Sequence, residues 1–162
     1  MQNMEKLYNE YFNVVYKYLL CLTHDSNFSE ELTQETFCKA LEKIYTFRGE
    51  CKISVWLCQI AKNLLINEQN KRKRIINNTN EKMFQLEENK QLEDAIILKD
   101  DKINLYKKMQ QLDTISREVV HLRITGELSF KEIGDILGKS EGWSRVTFYR
   151  ARKKLEEVDD NE

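Results

Sequence analysis

A chain of 162 residues with 41% hydrophobic and 33% charged side chains has the size and balance of one ordinary domain or two small ones. This excludes collagen-like, mucin-like and disulfide-scaffold architectures. The formal charge of −1 hides a segregation. Residues 1–50 carry 5 basic and 8 acidic side chains, 51–82 carry 7 and 2, 83–116 carry 5 and 7, 117–155 carry 9 and 5, and 156–162 carry 5 acidic residues alone. Two basic blocks set between three acidic ones are the pattern expected where two separate surfaces meet phosphate.

Proline is absent, and four of the five glycines (126, 134, 138 and 142) lie in the last quarter, so the first 120 residues hold almost nothing that interrupts a helix. An all-α fold is expected. Leu7, Tyr11, Val14, Val15, Tyr18, Leu19 and Leu22 recur at three and four, the period of a helix that buries one face. The segment from Asp25 to Ser29 supplies turn and cap chemistry, and Leu32, Thr36, Phe37, Ala40, Leu41 and Ile44 make a second stripe. Phe47-Arg48-Gly49-Glu50 reads as a loop. A third stripe of Ile53, Trp56, Leu57, Ile60, Ala61, Leu64 and Leu65 runs directly into the basic cluster Lys71-Arg72-Lys73-Arg74. Residues 1–74 are therefore expected to form a first helical bundle.

Residues 75–103 are rich in Asn, Gln, Lys, Glu and Asp, with apolar residues too sparse for a packed core, and are expected to be a polar linker with partial helix at most. Beyond it, Ile103, Tyr106, Met109 and Leu112 form a fresh stripe. Ser116 is expected to cap a helix that carries Val119, Val120 and Leu122 and stops at Gly126. A second small domain, 104–162, follows from this.

Within it, Ser129-Phe130-Lys131-Glu132 has the spacing of a capping box, opening a helix that continues through Ile133, Ile136 and Leu137 to Gly138. Lys139 to Gly142 turn the chain, and Trp143 to Leu155 make another helix, which together give helix-turn-helix geometry. At about 100° per residue, Ser144, Ala151 and Leu155 fall near Phe148 on a narrow inward strip of mostly small side chains. The opposite side presents Val146, Arg150 and Lys153, flanked by Arg145, Tyr149 and Arg152, on a helix slim enough for a major groove. An idle solvated face would mix signs, yet no acidic residue stands from Trp143 through Leu155, so neutralisation of phosphate is the better account. Trp143 is either an anchor against the preceding helix or an aromatic contact at the groove edge.

Catalytic and metal chemistry find no support. Cys21, Cys38, Cys51 and Cys58 form no C-x-x-C pair, and His24 beside Cys21 lacks a second ligand pair, so neither a metal nor a cofactor is expected. There is no glycine-rich phosphate loop, and His24 and His121 stand isolated. Met1 is followed by acidic, amphipathic sequence instead of a secretory leader, and the apolar runs fall far short of the roughly 18 residues of a membrane span. A cytoplasmic protein with reduced, mostly half-buried thiols and no membrane insertion is expected.

Two motif blocks then narrow the class. Glu31-Leu32-Thr33-Gln34-Glu35-Thr36-Phe37, Phe47-Arg48-Gly49 and Trp56-Leu57-Cys58-Gln59-Ile60-Ala61-Lys62-Asn63-Leu64, closing on a basic cluster, resemble the sigma-2 domain of extracytoplasmic-function RNA polymerase sigma factors. Leu128-Ser129-Phe130-Lys131-Glu132-Ile133-Gly134, Ser140-Glu141-Gly142 and Arg150-Ala151-Arg152-Lys153-Lys154-Leu155 resemble the sigma-4 domain of the same family. The resemblance covers roughly residues 5–74 and 104–156 in the family's order.

The resemblance implies a monomeric promoter-specificity subunit without catalytic activity, whose partners are the β′ and β subunits of core RNA polymerase, promoter DNA and an anti-sigma factor, in a stress or envelope response. It assigns Glu31, Gln34 and Glu35 to a coiled coil of the β′ subunit. Phe47, Arg48, Lys62, Asn63 and Asn67 would recognise the −10 element and hold a flipped base, with Lys71, Arg72, Lys73 and Arg74 on the strand backbone. It assigns Arg145, Val146, Tyr149 and Arg150 to base edges of the −35 element, with Arg152 and Lys153 on phosphate. Phe47 has a second reading as a core aromatic, and Trp56 reads as core. Where this chain has Trp143-Ser144 the family often carries Thr-Val, and where it has Asn67 and Asn70 the family usually carries Asp and Arg, so promoter sequence does not transfer by resemblance. Two other classes stay open at this point. A conventional operator-binding regulator would bind symmetric half-sites as a dimer, and a helical polymerase antagonist would leave the basic face of residues 143–155 unused.

Overall fold

The computed structural model describes residues 3–79 and 107–160, all helices and turns with no strand among them. The chain divides into two compact units, Met1–Ala95 and Ile96–Glu162. No described helix is long and apolar enough to cross a membrane.

In the first unit, α1 (Met4–Thr23), α2 (Ser26–Lys43) and α3 (Ile53–Thr79) pack pairwise into a bundle. Each helix start is supplied by the local sequence. Asn3 Oδ1 accepts the Glu5 amide at 3.0 Å, and Asp25 Oδ1 accepts the Phe28 amide at 3.0 Å, so both residues cap the orphan donors of the turns that follow. Between them, His24 adopts a left-handed φ of 55° and donates its amide to the Leu20 carbonyl, which closes α1 within a two-residue turn.

The three stripes meet as the periodicity requires. Leu7, Val15, Leu19, Leu32, Phe37, Ala40, Leu57, Ala61 and Leu65 form one buried cluster, each fully buried Val or Leu contributing roughly 1.5–3 kcal/mol. Tyr11, Leu22, Ile53, Trp56, Ile60 and Leu64 pack around its edge. Two apolar positions depart from expectation: Val14 is 38% exposed and Leu41 58% exposed. Both lie at the margin of their stripes, where buried Tyr18 and Ala40 already fill the inward positions. Polar residues inside the bundle are satisfied. Thr33 and Thr36 donate to the Ser29 and Leu32 carbonyls at 2.6 and 2.7 Å, and the Ser29 and Thr23 hydroxyls share a hydrogen bond of 2.6 Å.

Residues 75–79, the start of the expected polar and partly helical linker, continue α3 to Thr79. Ile75 and Ile76 extend the helix without entering the core, 61% and 39% exposed. The rest of that linker, together with Ile103 and Tyr106 of the expected stripe, lies outside the described residues.

The second unit contains α4 (Thr114–Ile124), α5 (Phe130–Leu137) and α6 (Glu141–Asp160). Before α4, Met109 and Leu112 are buried, and Arg117 reaches back to donate to the carbonyls of both at 3.2 and 3.1 Å. The cap of α4 is Asp113, not Ser116. Asp113 Oδ2 accepts the Ser116 amide at 3.2 Å, which makes Ser116 the third residue of the helix. Hydrogen bonding from the Ser116 side chain is the largest influence on the Asp113 carboxyl and, joined by that amide, holds it below the usual carboxylate range. The expected capping box opens α5: Ser129 Oγ accepts the Glu132 amide at 3.1 Å and Glu132 Oε2 accepts the Ser129 amide at 3.3 Å. Gly138 ends α5 at φ 66°, a conformation that suits a residue without a side chain.

The last helix begins earlier and ends later than the sequence suggests. Ser140 Oγ accepts the Trp143 amide at 3.0 Å, so Ser140 acts as the cap, and Glu141 and Gly142 belong to the first turn. At Gly134, α5 closely approaches the turn after it. A Cβ placed on Gly134 would lie 2.5 Å from the Lys139 carbonyl oxygen and 3.1 Å from that of Ser140, both rigid backbone.

Gly134→Ala should destabilise the second unit by about 1–3 kcal/mol, read as a lower denaturant midpoint, because helix and turn have to separate. Asp113→Ala should cost about 1 kcal/mol. Because the folded carboxyl titrates lower than the unfolded one, the wild-type advantage is present above pH ~4 and is lost as the pH falls through the folded value, so the two proteins should converge in stability in acid.

Candidate nucleic-acid interface

The second unit exposes a basic helix on a small-residue footing. On α6, Ser144 and Ala151 are buried, while Phe148 and Leu155 are partly buried against Met109, Leu112 and Val120. Ser144 also donates to the Ser140 carbonyl at 3.1 Å, so the polar member of the strip is satisfied. Because this inward strip is narrow, the helix sits low and shows most of its circumference. Arg145, Val146, Tyr149, Arg150, Arg152 and Lys153 are all exposed.

Their surroundings differ in ways that periodicity does not reveal. Arg145 and Tyr149 lean on Phe130, with the Arg145 guanidinium carbon 5.5 Å and the Tyr149 ring 6.1 Å from its ring. Phe130 also carries Arg123 at 4.3 Å and Phe148 at 5.6 Å, so one buried aromatic organises this flank of α6. Arg152 Nε lies 3.1 Å from Glu156 Oε1, and Arg145 Nη2 lies 3.2 Å from Glu141 Oε1. Both carboxylates come into play because α6 extends beyond the range 143–155. On the other flank, Trp143, Thr147, Arg150, Lys153 and Lys154 line an open groove of about 520 Å³ against Ile115 and Ser116 of α4. Trp143 is half-buried there with Lys139 Nζ 5.6 Å from its ring, so it forms a wall of the groove and is not sealed into the core.

In the first unit, Glu31, Gln34 and Glu35 are all exposed on α2. Leu41, expected in the core, instead lies on this outer side, where Gln34, Cys38 and Leu41 follow at steps of four and three and all are exposed. Tyr45, in the 3-10 turn Ile44–Thr46 after α2, is 84% exposed. That turn is fixed by Thr46 Oγ1 donating to the Lys43 carbonyl at 2.6 Å and by the Phe47 amide donating to that of Ile44 at 3.1 Å.

Phe47 is half-buried, its ring 5.1 Å from that of Trp56, and Trp56 packs on the core edge. Arg48, Asn63 and Asn67 are exposed and Lys62 is half-buried. At about 100° per residue, Asn63, Asn67, Lys71 and Arg74 share one strip of α3, with Lys62 and Lys73 to one side of it. The basic cluster is therefore not a uniform patch. The Arg72 guanidinium carbon lies 3.9 Å from the centre of the Phe28 ring at the start of α2, and Lys71 Nζ is 3.2 Å from Glu68 Oε1. The Phe28 and Phe130 stacks are the contacts that sequence reasoning missed; both join residues from different helices.

Among the described residues no group of three or more His, Cys, Asp or Glu side chains could hold a metal ion. None of the four cysteines is joined in a disulfide: Cys58 is buried, Cys21 and Cys51 are half-buried and Cys38 is exposed.

With this geometry in place, the likeness to known proteins is informative. Residues 7–75 match the family profile of Sigma-70 region 2, and residues 102–155 match that of Sigma-70, region 4. The chain is 30% identical over 152 residues to the ECF RNA polymerase sigma factor SigM of Bacillus subtilis (strain 168), spanning 94% of this chain and 92% of that one. It is 32% identical over 161 residues to the RNA polymerase sigma factor YlaC of the same organism, spanning 94% and 90%. In fold it resembles the sigma factor RpoE in a co-crystal structure with the anti-sigma factor NepR from Bartonella quintana, with a TM-score of 0.75 at 19% identity over 99% of this chain and 98% of that one. CnrH in complex with the cytosolic domain of CnrY gives a TM-score of 0.64 at 20% identity, covering 98% and 88%.

Proposed function

This chain belongs to the extracytoplasmic-function group of RNA polymerase sigma factors, and from that premise we propose a division of labour between its two units. As a sigma factor it binds core RNA polymerase, directs it to specific promoters and initiates transcription. We assign the −35 element to α6 of the second unit, and core binding and the melted −10 region to the first, with the segment between as a tether. Nucleotide chemistry belongs to core polymerase, and the site of action is the cytoplasm. An anti-sigma factor covering these surfaces is the proposed regulator, in a stress or envelope response.

One observation carries this reading: between Trp143 and Leu155, α6 has no acidic side chain, while its outward face displays Arg145, Arg150, Arg152 and Lys153. Such a surface neutralises phosphate, and a helix of this width enters a major groove. On it, Arg145, Val146, Tyr149 and Arg150 address base edges while Arg152 and Lys153 address the backbone.

In the first unit, Asn63, Asn67, Lys71 and Arg74 form the strip that follows the separated strand, joined by Arg48, Lys62 and Lys73. Arg72 contributes charge from its seat on Phe28. The Phe47–Trp56 pair supports the loop that would receive an extruded base, since a flipped base needs a fixed stacking wall. Glu31, Gln34 and Glu35, with exposed Leu41 beside them, present the mixed acidic and apolar face that a basic amphipathic helix of core polymerase would fit.

Purifying the chain with core polymerase and sequencing the transcripts made from a genomic template tests the whole reading. Transcripts that start downstream of two unlike, suitably spaced elements are expected, whereas symmetric half-sites would defeat it. Arg150→Ala should weaken binding to the upstream duplex by about 1–3 kcal/mol while co-purification with core enzyme stays unchanged. Reversing charge at Glu31 and Glu35 to Lys should abolish that co-purification with the helical circular dichroism intact, and unaltered complex formation would reject the assignment.

A further inference from the structure

The first turn of α6 contains an acid where a purely phosphate-binding helix would have none. Glu141 is the sole carboxylate of α6 before Glu156, and it is about half exposed. Its Oε1 lies 3.2 Å from Arg145 Nη2, and Arg145 in turn is held 5.5 Å over the ring of Phe130. Phe130 is only 9% exposed and is pinned from another side by Arg123, whose Nη1 donates to the Leu128 carbonyl at 2.9 Å. The acid and the base therefore stand as a pair on a supported footing.

Ser140 Oγ already takes the Trp143 amide, so Glu141 is not the cap, and the helix dipole that favours an acid in this first turn leaves its carboxylate half exposed for a further partner. Directed at phosphate, the Glu141 carboxylate would repel. Directed at base edges in the major groove, it meets one favourable partner: cytosine presents an amino donor at N4, while arginine pairs with O6 and N7 of guanine. The N-terminal residues of a recognition helix are those that reach base edges. The 3.2 Å separation of the two charged tips is close to the rise of about 3.4 Å between stacked base pairs, so the two groups can address neighbouring pairs together.

We propose that Glu141 is a specificity-determining residue for the upstream duplex, its carboxylate accepting a hydrogen bond from the N4 amino group of a cytosine in the base pair next to the one whose guanine Arg145 reads. This rests on the assignment of α6 to the −35 element. The Arg145 cation neutralises the acid as the helix approaches the backbone, so the acceptor enters the groove without a net local repulsion.

The test uses reconstituted holoenzyme on a promoter library whose upstream duplex is randomised, with transcripts counted by sequencing. The pair read by Arg145 is the one whose guanine preference disappears in Arg145→Ala. Wild-type protein should favour cytosine at the neighbouring pair by roughly 5-fold or more. Glu141→Ala should level the four bases there, and Glu141→Gln should move the preference to adenine, whose N6 and N7 suit an amide. In both variants the guanine preference set by Arg145 should persist.

A cytosine preference that survives both variants overturns the proposal, as does a uniform rise in output from every sequence, which would make the carboxylate a mere repellent. Loss of the guanine preference together with the cytosine preference also overturns it, leaving Glu141 as a support for Arg145. A wild-type holoenzyme that selects no upstream sequence at all would instead remove the −35 assignment of α6, and this inference with it.

Discussion

The helix-turn-helix of the second unit is constrained by a close backbone approach at Gly134. At Gly134 the α5 helix comes so close to the carbonyls of Lys139 and Ser140 that even one methyl group would collide with them. Because helix and turn touch there, Gly138 can reverse the chain in its left-handed conformation and Ser140 can cap α6 immediately afterwards. These three residues set the turn from which α6 leaves, and the packing of Phe148, Ala151 and Leu155 seats the helix on the core. Buried Ser144 and Ala151 then let the helix settle close to the core, which keeps its outward side clear.

The first unit reaches a comparable arrangement by different means. Its three helices bury a contiguous aliphatic cluster, and the hydroxyls of Thr33, Thr36 and Ser29 are absorbed by neighbouring carbonyls or by each other. No buried polar side-chain atom among the described residues is left without a hydrogen bond. With the interior settled in this way, the outer surfaces of α2 and the second half of α3 are free to carry opposite charges. Acidic residues line one and basic residues the other, as the two partners proposed for these surfaces would require.

Much of this was legible in the chain because the signals are local. The capping box at Ser129 and Glu132, the stop at Gly138 and the inward strip around Phe148 each involve residues within one or two helical turns, so spacing alone reveals them. Leu41 was misplaced because periodicity shows which residues share a side but not how wide the buried sector is, and at the stripe's margin the neighbouring helix decides. Ser116 was mistaken for a cap because Asp113, three residues earlier, is an equally good one and the apolar stripe does not choose between them. The seating of Arg72 on Phe28 and the gathering of Arg123, Arg145 and Tyr149 around Phe130 leave no trace in spacing, since each joins different helices. The proposed site was therefore readable as a set of cations on helix surfaces, while the division between anchored and outward cations required coordinates.

On the proposed assignment of Arg152 to phosphate, its pairing with Glu156 carries a kinetic consequence. A guanidinium already neutralised by its own chain gives up that carboxylate when it grips a backbone phosphate, so one anion is exchanged for another and the net gain is small. The same exchange is demanded on every stretch of duplex, which lowers the residence time on irrelevant sequence and leaves discrimination to contacts that only the correct bases return. An internal counter-ion of this kind favours a protein that samples many sites quickly and stays at few.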